Sequence, residues 1–174
     1  MYLPYSNLDF YALTLWAIFF GLDFIATVPP TVRLAGNFFG PREPYRSIEL
    51  KNFKNLLNFD LNFYSFQNEI WDRDKEFFLK SNIIDLSKEN FVDMIGIIKK
   101  LDLMISTDTF FLHLACISNK ETWGLISASS DWRWYEYYKY NPYKSLKIFK
   151  QSNYKSWHSV ISQIEKNLKD EFSC

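Results

Sequence analysis

The stretch Leu103-Met104-Ile105-Ser106-Thr107-Asp108-Thr109-Phe110-Phe111-Leu112-His113-Leu114-Ala115-Cys116-Ile117-Ser118 decides how this chain is read. Leu103–Ser106 is a short apolar run with strand composition, and Asp108–Ser118 reads as a helix. A strand that runs straight into a helix is the first half of a βαβ unit. Outward from it the same alternation recurs. Upstream, Leu61–Phe66 has strand composition, residues 69–80 are charged and helical, and Ile83–Leu86 is a short strand. Ser87 is the expected N-cap of a helix carrying Phe91, Met94, Ile95, Ile98 and Leu101 at spacings 3, 1, 3 and 3. Downstream come strands at Thr122–Ile126 and Leu146–Phe149, then a helix carrying Trp157, Val160, Ile161, Ile164 and Leu168. Strands alternating with helices predict an α/β fold: a Rossmann-like, mostly parallel sheet with helices on both faces. Such sheets bind ligands beyond the carboxyl ends of their strands.

Composition narrows the function classes. At 174 residues the chain holds one domain of ordinary size or two small ones. Its 48% hydrophobic and 23% charged residues exclude a wholly disordered chain. Formal charge is zero and no run of five like charges occurs, so the basic footprint of a nucleic-acid polymer binder is absent. The two cysteines make neither a disulfide framework nor a zinc spacing, and the two histidines lie in different elements, so no metal site is expected. Aromatic residues reach 20%, while glycine numbers 5 against about 12 at average usage. The N-terminal 28 residues contain no Lys or Arg, and Phe10–Leu22 is thirteen uncharged residues long. That is short of the ~20 needed to span a bilayer, so a buried helix is expected there first, an interfacial membrane helix second and a true anchor third. Pro29, Pro30, Gly36, Gly40, Pro41 and Pro44 then mark a loop.

Three segments have residues suited to chemistry. In the first, Asp108 and Thr109 open a helix whose dipole and free N–H groups suit an anion. Asp108 can cap that helix or accept from a sugar hydroxyl. His113, four residues after Thr109 on the same face, can donate to a phosphate oxygen. The same pattern also fits a plain N-cap with a half-buried histidine. In the second, Asp131-Trp132-Arg133-Trp134 sets an arginine between two indoles, which suits either a ligand cleft or an aromatic cluster closing the core. In the third, a Gly/Pro-rich loop from Gly36 ends in Arg46-Ser47, where the guanidinium can clamp a diphosphate or stay solvated. No Gly-x-Gly-x-x-Gly, P-loop or Gly-x-Ser-x-Gly is present.

These segments, in this order, resemble glycosyltransferase family 9, which includes the ADP-heptose:lipopolysaccharide heptosyltransferases, and above all its relatives linked to tetratricopeptide repeats. The resemblance is carried by Gly36-Asn37, Arg46-Ser47, Ser65-Phe66-Gln67, Leu101–Thr109, His113-Leu114-Ala115, Lys120, Trp123, Asp131–Trp134, Asn141-Pro142-Tyr143 and Ile148–Gln151. It implies the C-terminal, donor-binding half of a GT-B enzyme over residues 34–174, with residues 1–33 an apolar remnant of the interdomain region. It implies binding of an ADP-, UDP- or GDP-linked sugar, and no cofactor. Asp108, Thr109 and His113 would meet the diphosphate and sugar, with Arg46, Ser47 and Gln67 beside them. Asp131, Trp132, Arg133 and Trp134 would line the substrate cleft. The expected location is cytoplasmic, with residues 8–28 offered to a partner chain or the inner face of the membrane.

Departures from the family pattern qualify that expectation. The acceptor domain, which would supply the catalytic residues, is missing from the matched region. Phe110 stands where the family has Gly or Ala, and Cys116 and Asn119 replace small or glycine positions. The chain alone is therefore expected to bind a nucleotide-sugar without turning it over. The competing expectation is a degenerate, non-catalytic interaction domain.

Overall fold

The computed structural model describes residues 47–67, 70–130, 134, 143–154 and 156–172, together with the backbone of Phe24–Thr27. Strands are β1 (Phe24–Thr27), β2 (Asn62–Ser65), β3 (Ile84–Asp85), β4 (Leu103–Thr107), β5 (Thr122–Ile126) and β6 (Leu146–Lys150). Helices are α1 (Asp72–Lys80), α2 (Phe91–Lys100), α3 (Phe110–Ile117) and α4 (His158–Phe172), preceded by short 3-10 turns at Leu50–Phe53 and Leu56–Asn58. The six strands form one sheet in the order β3-β2-β1-β4-β5-β6, and every neighbouring pair is parallel.

Burial along the strands explains the layers. All five residues of β4 and all five of β5 are buried, as expected of central parallel strands covered on both faces. Their side chains alternate between the two faces. Leu103, Ile105, Trp123 and Leu125 join the 3-10 turns, Phe78 of α1, and Val160, Ile161, Ile164 and Leu168 of α4 in one core. Met104 packs on the other face with Met94, Ile97 and Ile98 of α2 and Phe111 and Ala115 of α3. Asp74, 5% exposed, ties the first of these layers together: its Oδ1 accepts from the Leu50 N–H at 2.9 Å.

Several expectations are corrected. The N-cap of α2 is Asn90, not Ser87: the Asn90 side chain accepts from the N–H groups of Val92 and Asp93. Met94, Ile98 and Leu101 are buried as expected and Ile97 joins them, while Phe91, expected in the core, opens the helix and is 50% exposed. The third helix begins at Phe110, with Thr109 rather than Asp108 at its cap position. The sheet also reaches back across the expected 33/34 boundary. Residues 24–27 pair with β2 on one side and β4 on the other, at the centre of the fold. This Phe-Ile-Ala-Thr strand is only four residues long and follows the longer apolar run that ends before Asp23.

α3 ends at Ser118 and the chain reverses through Asn119, the one non-glycine residue with positive φ (55°) among those described. Its N–H donates to the Cys116 carbonyl and that of Lys120 to the Ala115 carbonyl. Asparagine tolerates this left-handed position, which glycine more often fills.

Candidate functional site

The strand order changes direction between β1 and β4. From β1 the chain first builds outward through β2 and β3, and then returns to build β4, β5 and β6 on the other side. In an open parallel sheet the crevice at such a point, beyond the carboxyl ends, is where ligands bind. Asp108 and Thr109 lie there, directly after β4 and directly before α3.

The head of α3 is built without a side-chain cap. Thr109 has the extended backbone of a cap residue (φ −135°, ψ 173°), but its side chain makes no capping hydrogen bond. Its Oγ1 instead lies 3.0 Å from Ser106 Oγ, which itself donates to the Thr107 carbonyl. Nor does the first turn carry an acidic residue. The positive end of the helix dipole is thus left for something outside the helix. Thr107 Oγ1, at the end of β4, is buried with no hydrogen-bond partner among the described residues.

Asp108 and His113 form a pair beside this helix end. Nε2 of His113 is 3.6 Å from Asp108 Oδ1, and their side chains are 25% and 19% exposed. Nδ1 of His113 lies 3.0 Å from the Tyr143 hydroxyl. Trp134 stacks on the imidazole with ring centroids 5.9 Å apart and planes at 20°. Trp134 itself is buried against Leu112, Cys116, Ile126 and Leu146. It is the wall behind His113, not an exposed face. Burial in the same cluster pushes the Cys116 thiol pKa up, against hydrogen bonds to Thr122 and Ser145 that lower it.

Phe110, the first residue of α3, is 44% exposed and leans toward α2, where its ring meets that of Phe91 at 5.7 Å. Gln67 follows β2 and is buried, its N–H donating to Ser65 Oγ. It lines a hollow of about 340 Å³ with Lys75, Phe78, Asp85 and Ser87. With β1 between them, β2 and β4 run about 10 Å apart, and Gln67 and Asp108 follow them at the same, carboxyl edge of the sheet. Ser47 is half-buried and leads into Ile48 and Leu50, which pack on the face covered by α1 and α4. Arg46, Asp131, Trp132 and Arg133 lie outside the described residues, as does most of 8–28.

Of the candidate residues, the structure brings together Asp108, Thr109, His113 and Trp134. Tyr143 was not anticipated as a member of this group. It is 30 residues from His113, and its one signal is its place in the Asn141-Pro142-Tyr143 motif. No group of three His, Cys, Asp or Glu among the described residues is placed to hold a metal ion. No described helix is long and apolar enough to cross a membrane.

No protein-family model matches this sequence, and no curated protein matches it significantly. Solved structures do match. E. coli heptosyltransferase WaaC with ADP superposes with a TM-score of 0.53 at 14% identity, over 84% of this chain and 44% of that one. The same enzyme with ADP-2-deoxy-2-fluoro heptose gives 0.53 at 15% identity over the same shares. A glycosyl transferase family 9 protein from Veillonella parvula DSM 2008 gives 0.53 at 12%, over 94% of this chain and 46% of that one. The chain therefore spans less than half the length of each. At these identities the likeness is one of fold: a Rossmann-like parallel sheet covered by helices, matching one part of a GT-B glycosyltransferase.

Proposed function

We propose that this chain is the donor-binding part of a glycosyltransferase, and that the head of α3 receives the diphosphate of a nucleotide-sugar. The observation that carries this reading is the uncapped helix end at the carboxyl edge of β4, with Asp108 and His113 beside it. Two of the structural neighbours were solved with ADP or an ADP-heptose analogue, which supports an adenine nucleotide ahead of UDP or GDP. The first-turn N–H groups of α3 and the His113 imidazole supply donors to phosphate oxygens. Asp108, a carboxylate, repels phosphate and is suited to accept from sugar hydroxyls. In a complete enzyme these groups would stabilise the charge that develops on the departing diphosphate. The acceptor and its catalytic base would come from another chain or segment, so the chain alone turns nothing over. Ser47 and Arg46 are proposed to approach the phosphates, and Gln67 the same edge. Because nucleotide-linked sugars are cytoplasmic metabolites, this reading carries a cytoplasmic location, with 8–28 as the segment for a membrane or partner.

Calorimetric titration with ADP, UDP and GDP tests the proposal. Saturable binding of one nucleotide is expected, weakened about 100-fold or more in Asp108→Ala/His113→Ala, since each removes a hydrogen bond at a charged group. A second reading, a non-catalytic interaction domain, is favoured by the exposed apolar group of Phe91, Val92 and Phe110 beside the site. Absence of binding up to millimolar nucleotide would select it.

A further inference from the structure

Tyr143 carries an inference that rests on the donor-site reading and adds to it. Its ring packs against the buried cluster of Leu112, Cys116, Ile126, Trp134 and Leu146, while its hydroxyl reaches His113 Nδ1 at 3.0 Å. The opposite ring nitrogen, Nε2, faces Asp108. A neutral imidazole offers one donor and one acceptor. The carboxylate beside Nε2 favours the proton there, which leaves a lone pair on Nδ1 for the Tyr143 O–H to donate to. Trp134, stacked nearly flat on the ring, restricts its rotation out of that plane.

We infer that Tyr143 is a positioning residue. By donating to Nδ1 it fixes His113 as the Nε2–H tautomer and holds that N–H on the Asp108 side, at the head of α3. His113 is then a hydrogen-bond donor to an anionic oxygen of a nucleoside diphosphate without having to carry a charge.

The test uses the full chain with nitrogen-15-labelled histidine, at a pH well above the imidazole range. Tyr143→Phe keeps the ring and removes the hydroxyl. The His113 Nδ1 resonance is expected to move, while that of His158, in α4, stays fixed. ADP affinity is expected to fall about 3- to 10-fold, the worth of one hydrogen bond. In a His113→Ala background the same change is expected to do nothing further to affinity. If Tyr143→Phe does not fold, 3-fluorotyrosine at 143 preserves the shape and acidifies the donor, and the Nδ1 resonance must again respond. An unmoved Nδ1 resonance overturns the inference, and so does an affinity loss that persists without His113. If the native chain binds no ADP, the donor-site reading falls, and the Nδ1 resonance by itself decides the hydrogen bond.

Discussion

α2 and α3 cover the same face of the sheet, follow one another in sequence and point their N-termini toward the same edge, yet they begin in opposite ways. α2 is closed. Asn90 Oδ1 accepts from Val92 N–H at 3.0 Å and Asp93 N–H at 3.1 Å, and its amide donates back to the Asp93 carboxylate, which also sits in the first turn. α3 is open. Thr109 turns its hydroxyl to Ser106, and the first turn has no acid. A helix whose donors are satisfied from within contributes stability. One whose donors are left outward is suited to an external anion. Asp108 sits next to that opening, but its carboxylate faces His113.

That contrast can be broken at either helix. Losing His113 and Asp108 is expected to remove nucleotide binding while moving the melting transition little, because both side chains are partly exposed and neither belongs to the core clusters. Calorimetry beside a thermal melt checks this, and a large loss of stability would mean that the pair is structural. Asn90→Ala should do the reverse. It is expected to cost about 1 kcal/mol of stability, measured by urea denaturation, with nucleotide affinity unchanged. A subtler variant, Thr109→Asn, converts the open end into a closed one. We expect a gain of about 0.5 kcal/mol in stability together with weaker ADP binding, since the new side chain competes for the same donors. Stability and affinity that rise together would show that the helix end is not the anion site.

The smallest effect concerns Tyr64 of β2, whose hydroxyl burial holds neutral, its pKa pushed up to about 12 from 10.0. The folded value lies above the unfolded one, so the stability it contributes is fully present below about pH 10 and is lost as pH rises through 12. An alkaline absorbance titration of Tyr64→Phe against the native chain should lack one late phenolate step. A step missing near pH 10 instead would place this ring in water.

Much of the fold was legible because periodicity and burial agree. The five apolar positions expected on the last helix and its approach, Trp157 to Leu168, are all buried. β5 occupies the expected Thr122–Ile126. Where the reading failed, two local signals competed. Ser87 and Asn90 are both good caps, and the choice between them depends on which apolar residues the sheet can cover. The strand at Phe24–Thr27 is four residues long, and a longer apolar run precedes it. Its place at the sheet centre follows from pairing with residues 38 and 78 positions away, Phe24 with Asn62 (62 − 24) and Thr27 with Ile105 (105 − 27).

By itself, the sequence determined the alternating α/β plan and marked Asp108, Thr109 and His113 as neighbours of a helix start, since both follow from spacings of a few residues. Tertiary structure alone decided that Thr109 spends its hydroxyl on Ser106 rather than on its own helix. It also decided that Phe110 turns toward Phe91, and that Tyr143 and Trp134 come back to grip the His113 ring. The physical reason is that the Phe91, Tyr143 and Trp134 contacts join groups whose meeting depends on how separate elements pack, while at Thr109 two local hydrogen bonds compete and the turn out of β4 selects the one to Ser106.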